Sequence, residues 1–319
     1  MKLLLTGGTG FFGRALLRLF VSTQPVEVTL LTRSPADFLN AYPQWAALPW
    51  LRLQAGDVTR ADSLAPLLRH ERFTHVLHAA CDSTNTGGMT PLQRVDQIVT
   101  GTRNLLDLAA RLGVPRFLLT SSGAVYGPQP PDLSSIPETY LGMPDPMLAG
   151  SAYGVAKRQA EHLCALYAES HGLETVVARC FAFVGEDLPL GAHFAIGNFI
   201  RDALECPAIH VEGNGRPLRS YMCQTDLARW LLALLQNGNA SEAYNVGSDQ
   251  AVSIEQLANL VRDTLAPDKP VDVHGRVQAD NTQRQRYIPD ITKARQSLGL
   301  EVQVSLQDAI LKAAHRCAR

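Results

Sequence analysis

Residues 1–20 read MKLLLTGGTGFFGRALLRLF and predict a buried strand, a glycine-rich turn and a helix in direct succession. Gly7, Gly10 and Gly13 stand three residues apart across that turn. In such a loop the first glycine allows a tight turn, the second lets the backbone approach a diphosphate, and the third lets the helix pack closely. The N–H groups at the start of the helix then face the phosphates. Because these glycines lie between a strand and a helix, they predict a dinucleotide site and not merely a turn.

Strand-like and helix-like segments alternate through the first half of the chain. Predicted strands cover residues 26–31, 51–54, 75–78, 116–120 and 175–178, and the clearest predicted helix covers residues 95–110. This alternation predicts an α/β fold with a doubly wound parallel sheet of the Rossmann type. We expect residues 1–178 to form the dinucleotide-binding domain. Residues 179–319 are expected to form mainly a smaller α+β substrate-binding domain, with part of 221–250 returning to the first domain.

Composition excludes several classes of protein. The 319 residues carry a net charge of -1, which gives no electrostatic reason to expect a nucleic acid or an anionic membrane as partner. The 6 cysteines lack metal-binding spacing, so we expect reduced thiols and no metal site. The uninterrupted apolar segment 230–235 is too short to span a bilayer. We therefore expect a cytoplasmic protein.

The positions of three side chains in the sequence indicate a site of proton transfer near the dinucleotide. Tyr153 and Lys157 lie four residues apart in a helical segment, so they share one face of the helix. A nearby ammonium favours phenolate over phenol, so we expect Lys157 to lower the pKa of Tyr153. Ser122 follows a buried strand, and its hydroxyl can bind the same substrate oxygen that Tyr153 protonates. Alternatively, Ser122 only hydrogen-bonds its own turn and Tyr153 and Lys157 belong to an ordinary amphipathic helix.

Taken together, the motifs resemble the extended short-chain dehydrogenase/reductases, and more narrowly their nucleotide-sugar epimerase/dehydratase/reductase branch. They are TGGTGFFG at 6–13, GDVT at 56–59, HAA at 78–80, SSGAVYG at 121–127 and the Tyr153/Lys157 pair. The resemblance implies catalytic roles for Ser122, Tyr153 and Lys157, and it implies a nucleotide-sugar substrate. Together with the glycine loop and the end of the second strand, the residues that the resemblance implies form the predicted cofactor site. They are Gly7, Thr9, Gly10, Phe11, Phe12, Gly13, Thr32, Arg33, Ser34, Asp57, Val58, Ala79, Ala80, Tyr153 and Lys157.

The end of the second strand bears on the choice of cofactor. Relatives that prefer NAD have an acidic residue there, which binds the ribose hydroxyls. Here Thr32 occupies that position, and Arg33 and Ser34 follow. An arginine can bind a 2′-phosphate through two hydrogen bonds, so we favour NADP(H). NAD(H) stays open, with Arg33 then stacked on the adenine.

The reaction predicted by the resemblance is hydride transfer at a sugar carbinol, at C4. Related dehydratases carry an Asp–Glu pair directly after the catalytic hydroxyl, whereas Gly123 and Ala124 stand here. Two modes remain: an NADPH-dependent 4-keto-sugar reductase, favoured by Arg33, and an NAD-retaining 4-epimerase, favoured by the SSGAVYG segment. Predicted substrate-binding residues are Ser122, Tyr153, His193, Asn198, Arg219 and Arg286, with Arg284 as an alternative to Arg286.

The apolar faces of helices 95–110 and 152–170 predict a homodimer, because in relatives these helices pair across a two-fold axis. Burial within one subunit is the alternative explanation. Two other functions are weighed against the enzyme of nucleotide sugars: a non-catalytic dinucleotide-binding protein, and a reductase of small hydrophobic ketones. The first typically lacks the tyrosine or the lysine, and Arg219 argues against the second.

Overall fold

A computed structural model describes residues 1–23, 26–70, 72–81, 88–192, 194–275 and 285–317. The strands are β1 (Lys2–Thr6), β2 (Glu27–Thr32), β3 (Leu51–Ala55), β4 (His75–His78), β5 (Arg116–Ser122), β6 (Glu174–Cys180), β7 (Phe183–Val184), β8 (Ile209–Val211), β9 (Leu218–Arg219), β10 (Met222–Cys223), β11 (Glu242–Val246), β12 (Val252–Ser253), β13 (Val271–Val273) and β14 (Arg286–Tyr287). The helices are α1 (Phe11–Ser22), α2 (Pro35–Ala41), α3 (Leu67–His70), α4 (Pro91–Leu112), α5 (Ala152–His171), α6 (Ala195–Glu205), α7 (Gln224–Asn237), α8 (Ile254–Leu265), α9 (Thr292–Leu298) and α10 (Leu306–Cys317).

Seven parallel strands form the main sheet, in the order β11-β6-β5-β4-β1-β2-β3. The strand order reverses between β1 and β4, so the connections from these two strands leave on opposite faces. In sheets of this kind, ligands bind beyond the carboxyl ends of the strands at the point where the strand order reverses. The predicted doubly wound Rossmann-type fold is confirmed.

Alternate residues of β1 enter the hydrophobic cores on the two faces of the sheet. Leu3 and Leu5 belong to the core that α1 and α7 cover, whereas Leu4 belongs to the core that α4 and α5 cover. All three leucines are fully buried. Because both faces are covered, the strand reads as a continuous apolar run and not as an alternating one.

The segment 221–250 contributes to the main sheet. Strand β11 pairs in parallel with β6, and α7 packs against α1 through its fully buried Trp230. Helices α6, α8 and α10 enclose a separate core and build a smaller unit, whereas α9 packs against α7 and β11 and adds Ala294 to the core of the main sheet. Short sheets flank this unit, and the three-stranded one has the order β12-β9-β14.

Side chains and a glycine cap the ends of several helices. Ser253 and Gln256 form a reciprocal capping box at α8, and the Ser305 hydroxyl accepts from the Asp308 N–H at α10. At α9, Asp290 accepts from the Thr292 N–H although Ile291 is the N-cap residue, and Gly299 ends the helix with φ +61.

No helix within the described ranges is long and apolar enough to cross a membrane. Among those same residues, no group of three histidine, cysteine or acidic side chains can hold a metal ion. Five cysteines in the described part of the chain are free thiols.

Candidate active site

Two of the three loop glycines are required by the packing of the protein itself. Gly7 has φ +74, and a Cβ atom there would lie 2.4 Å from the backbone carbonyl of Ala79. A Cβ on Gly13 would lie 2.1 Å from the Cα of Gly8. Gly10 differs, because the nearest atom to its Cβ position is the Gly7 carbonyl oxygen at 3.3 Å. The space beside Gly10 is therefore open to a ligand.

The N-terminus of α1 is suited to bind an anion. Its N-cap residue is Gly10, which has no side chain to accept from the first N–H groups, and no acidic residue stands in its described first turn. Uncapped N–H groups at a helix start attract phosphate through hydrogen bonds and the helix dipole. The following residues, Phe11 and Phe12, pack edge-on, and Phe12 contacts Phe183 of the smaller unit. This end of α1 thus fits the diphosphate of a dinucleotide.

The ends of β2 and β3 lie along the same edge of the sheet. Thr32 is partly exposed and Arg33 is exposed, whereas the Ser34 hydroxyl caps α2 by accepting from the Asp37 N–H. Asp57 folds back on its own turn, since its carboxylate accepts from the N–H and hydroxyl of Thr59. The side chain most available to a 2′-phosphate at this edge is therefore that of Arg33.

Two side chains that the sequence analysis did not assign to the site, Asn104 and Thr6, fix the backbone at Val58 and Ala80. Asn104 of α4 donates through its side-chain amide to the carbonyl oxygen of Val58 at 2.8 Å. The hydroxyl of Thr6 accepts from the N–H of Ala80 at 3.2 Å. The carbonyl group of Ala79 lies so close to Gly7 that it leaves no space for a side chain there. Their roles depend on contacts between distant segments, so no local sequence signal could have identified them.

Ser122, Tyr153 and Lys157 meet at the carboxyl end of β5. The Ser122 side chain lies beside the Tyr153 phenol and favours the ionised form of that phenol, and the Ser122 oxygen accepts from the N–H of Ala124 at 3.2 Å. The interpretation of Ser122 as a residue that hydrogen-bonds its own turn is therefore observed, and its contact with a substrate oxygen stays a prediction. Lys157 is 4% exposed, and its Nζ donates to the Thr120 carbonyl oxygen at 2.8 Å.

The pKa of Tyr153 moves in the direction opposite to the one expected from the sequence. Burial raises this pKa well above that of a free tyrosine, and the nearby Cys81 and Tyr287 act in the same direction. Lys157 does not reverse the shift, since its ammonium lies 5.9 Å from the ring centroid and is directed to the Thr120 carbonyl. Tyr153 is therefore a protonated phenol at neutral pH, which is the state that a proton donor requires.

Tyr287 and Phe181 are additional residues at the site. A Cβ on Gly123 would lie 2.7 Å from the Tyr287 hydroxyl and 2.8 Å from the Phe181 ring, and the two rings lie 4.6 Å apart. A side chain at position 123 would need these aromatic residues to move. Both come from segments far from the SSGAVYG motif in sequence, and neither carries a recognisable pattern.

The predicted arginines occupy neighbouring strands, but they do not share a face. Tyr287 of β14 pairs with Arg219 of β9, and Arg286 pairs with Leu218. Because successive side chains of a strand alternate, Arg219 lies on the face of Tyr287 whereas Arg286 lies on the opposite face. The register thus brings only Arg219 toward the aromatic pair.

Two buried polar atoms of the smaller unit lack a hydrogen-bond partner among the described residues. They are the Oδ1 atom of Asn198 in α6 and the Oγ atom of Ser220, which follows Arg219. Ser220 is 1% exposed, and neither atom has a hydrogen-bond partner among the described residues. Buried polar atoms are seldom left unpaired, so these two are candidates for ligand contact. His193 and Arg284 lie outside the described residues.

The comparisons with known proteins agree with this geometry. The model of a family described as "NAD dependent epimerase/dehydratase family" matches residues 3–247. UDP-glucuronic acid decarboxylase 3 of Arabidopsis thaliana is 30% identical over 311 residues, which cover 97% of this chain and 87% of that protein.

Two solved structures extend the likeness to the whole chain. UDP-glucose 4-epimerase from Thermotoga maritima has a TM-score of 0.86 at 23% identity, covering 100% of this chain and 99% of that one. DesIV, a dTDP-glucose 4,6-dehydratase from Streptomyces venezuelae solved with NAD, has a TM-score of 0.82 at 25% identity, covering 100% and 97%. The chain therefore belongs to the NAD dependent epimerase/dehydratase family of extended short-chain dehydrogenase/reductases, and it is a nicotinamide-dependent enzyme.

Proposed function

We propose that this enzyme interconverts a hydroxyl and a ketone at C4 of a nucleotide-linked hexose. The observation that carries the proposal is that the side chains of Ser122 and Tyr153 lie together at the carboxyl end of β5. The uncapped N-terminus of α1 follows β1 at the same edge of the sheet. A hydroxyl donor beside a dinucleotide site is the arrangement that carbonyl reduction needs.

The nicotinamide dinucleotide, when bound, supplies or accepts the hydride. In the reductive direction, the Tyr153 phenol donates its proton to the carbonyl oxygen of the sugar. Ser122 donates a hydrogen bond to the same oxygen and orients it. Lys157 stabilises the phenolate that remains, because its ammonium is held in the buried site one helical turn away. The oxidative direction uses the same groups with Tyr153 as proton acceptor.

For the cofactor and the direction, we propose an NADPH-dependent 4-keto-sugar reductase. The exposed Arg33 at the end of β2 supports this choice, since its guanidinium can bind a 2′-phosphate where an acidic residue would repel one. The second candidate is an NAD-retaining 4-epimerase, which the family description and the NAD in DesIV support. Position 123 is a glycine, and Tyr287 and Phe181 fill the space that an acidic side chain would need there. This arrangement argues against water elimination as the reaction.

For the substrate, we propose that Arg219 binds the diphosphate and that Asn198 contacts the nucleotide. Arg219 shares a sheet face with Tyr287, and the unpaired oxygen of Asn198 favours contact with an N–H donor. Arg286 and His193 stay as further proposed contacts. Arg286 has the weaker support, because the pairing of β14 with β9 places it on the strand face opposite Arg219.

The decisive experiment identifies the cofactor that the purified protein retains and the hydride transfer that it catalyses. The proposal predicts tighter binding of NADPH than of NADH, and oxidation of NADPH with a nucleotide-linked 4-keto-hexose. Tightly retained NAD with C4 inversion of a nucleotide hexose would support the epimerase instead. UDP-glucuronic acid belongs in the panel because of the decarboxylase relatives, and release of carbon dioxide from it would contradict the proposed reaction.

We also propose a homodimer formed through α4 and α5. The two helices pack against each other, and they leave Leu92 78% and Leu166 44% exposed. These two leucines are the apolar side chains that the proposed second subunit would cover.

A further inference from the structure

We propose that Glu161 and Arg179 form a buried positioning pair that fixes the Ser122 hydroxyl against Tyr153. This inference rests on the proposed roles of Ser122 and Tyr153 in proton transfer. Neither Glu161 nor Arg179 touches the reacting atoms in this proposal. They act by holding the backbone on both sides of Ser122.

The first observation is a line of contacts between α5 and the end of β5. Three residues spaced four apart on one face of α5 each reach one of the last three residues of the strand. The contacts are Tyr153 to the Ser122 hydroxyl, Lys157 to the Thr120 carbonyl oxygen, and Glu161 to the Ser121 hydroxyl. Glu161 thus continues the catalytic face of α5 by one further turn.

The second observation is the fork that Arg179 makes on Glu161. The Arg179 Nε atom lies 3.1 Å and 3.2 Å from the two carboxylate oxygens, and Nη2 lies 2.8 Å from Oε2. The two side chains are only 16% and 12% exposed, so the bonds form largely out of water. A bidentate arginine fixes the orientation of a carboxylate as well as its charge. The Glu161 oxygen that accepts from Ser121 is therefore held in place.

The third observation is that Arg179 also holds the turn after Ser122. Its Nη1 atom donates to the Tyr126 hydroxyl at 2.9 Å, and its guanidinium lies 4.8 Å from the Tyr126 ring centroid. Tyr126 ends the 3₁₀ turn Gly123–Tyr126, and its hydroxyl donates to Asn245 at 2.8 Å. The guanidinium of Arg179 thus holds Ser121 indirectly, through Glu161, and it holds Tyr126 directly. Ser122 lies between these two anchored points.

The consequence concerns the geometry of proton transfer. Displacement of a catalytic group by about 1 Å can reduce a rate by about 10²-fold while leaving the protein folded. Loss of the anchor at Ser121 should therefore lower kcat more than it changes binding of the sugar or the dinucleotide. A pair that served stability alone would leave kcat of the folded enzyme unchanged.

Two double variants separate these outcomes. Glu161→Gln/Arg179→Met and Glu161→Leu/Arg179→Met both remove the buried charges, but only glutamine keeps an oxygen that accepts from Ser121. We expect kcat of the leucine variant to be about tenfold lower than that of the glutamine variant, with KM and the cofactor Kd of the two within about twofold. Equal kcat values in the two variants would overturn the proposal.

A readout independent of turnover keeps the test separate from the proposed function. Hydrogen–deuterium exchange over residues 121–127 should be faster in the leucine variant than in the glutamine variant. If wild-type enzyme turns over no nucleotide sugar, the proposed function fails, and equal exchange in the two variants would then overturn the positioning role by itself. Should the double variants not fold, Ser121→Ala removes the same anchor without disturbing the ion pair, and an unchanged kcat there would also contradict the proposal.

The chain offers a matched control at the other end of the same two strands. Arg116 of β5 pairs with Glu174 of β6 at 2.8 Å, at the amino ends of the strands and away from Ser122. Glu174→Gln should leave kcat within about twofold of wild type and alter only the thermal midpoint of unfolding.

Discussion

Lys157 donates a hydrogen bond from Nζ to the carbonyl oxygen of Thr120 at 2.8 Å, so the ammonium of the catalytic helix is tied to the backbone two residues before Ser122. Lysine side chains are flexible, and a surface lysine would sample many positions. Here the bond and the burial fix the charge beneath the phenol of Tyr153. The relationship explains why the four-residue spacing in the sequence becomes a defined site in the fold.

Tyr153→Phe removes the proposed proton donor while keeping the ring. We expect kcat to fall by about 10²–10⁴-fold, because general acid catalysis contributes this much, with little change in the cofactor Kd. Steady-state kinetics and a fluorescence titration of the dinucleotide measure the two effects. Tyr140→Phe, in the loop before α5, is the control and should retain wild-type kcat. A Tyr153→Phe enzyme with its full rate would refute the acid–base assignment.

Gly13→Ala and Gly10→Ala should have different effects. At Gly13 the new methyl group would meet the backbone of Gly8 at 2.1 Å, so we expect a loss of about 1–3 kcal/mol or more in the free energy of unfolding. At Gly10 the methyl group would lie 3.3 Å from the Gly7 carbonyl oxygen, a tight contact that a small backbone shift relieves, so the protein should stay folded. The dinucleotide Kd of Gly10→Ala should rise by about tenfold, since the methyl group occupies the path of the diphosphate. Chemical denaturation and dinucleotide titration distinguish these results, and a Gly10→Ala protein with wild-type affinity would contradict the diphosphate site.

Substitution of Arg33 tests the cofactor preference. Arg33→Ala should reduce the ratio of NADPH to NADH affinity by about tenfold or more, because charge-assisted bonds to the 2′-phosphate are lost. Arg33→Asp should favour NADH, since a carboxylate repels the phosphate and accepts from ribose hydroxyls. Dissociation constants for both dinucleotides give the ratio, and a ratio that stays constant in both variants would remove the support for NADP(H).

His78 should make the stability of the protein sensitive to acid. Its burial, with a smaller effect from Lys157, lowers the pKa to about 3, whereas an unfolded histidine titrates near its ordinary value of 6.5. Between these values only the unfolded state binds the proton, so stability decreases as pH falls. The expected slope from this residue is about 1.4 kcal/mol per pH unit. Urea unfolding at several pH values should show a shallower dependence in His78→Asn than in wild type, and identical slopes would contradict the assignment.

The proposed dimer predicts a sedimentation mass of two chains for the wild-type protein. Leu92→Glu combined with Leu166→Glu introduces charges on the exposed faces of α4 and α5 and should yield the mass of one chain. Leu204→Glu changes a leucine of similar exposure on α6 and should leave the mass unchanged. A wild-type protein that sediments as one chain across micromolar concentrations would contradict the dimer.

Features that depend on neighbouring residues could be read from the sequence. The glycines at 7, 10 and 13 predicted the turn after β1, and the alternation of segments predicted the doubly wound sheet. The caps at Ser253 and Ser305 are likewise local, because each hydroxyl accepts from an N–H three residues later. In each case the physical cause acts within one turn, one strand or one connection, so a short stretch of residues is sufficient.

Features that depend on distant contacts could not be read in this way. The crowding of Gly123 requires Tyr287, and the orientation of Glu161 requires Arg179. The pKa of Tyr153 is an example in which the local signal pointed the wrong way. Lys157 lies four residues away and suggested a lowered pKa, but the burial that raises it comes from the assembled fold.

The sequence by itself thus determined the family and the doubly wound sheet, and it singled out Ser122, Tyr153 and Lys157 as candidates, because helical and strand periodicities and glycine turns are encoded locally. Only the tertiary structure decided the direction in which the pKa of Tyr153 shifts, the contacts of the residues on both sides of Ser122, and the strand face on which Arg219 lies. Those properties are set by desolvation and by hydrogen bonds between segments that folding brings together across large separations in the chain.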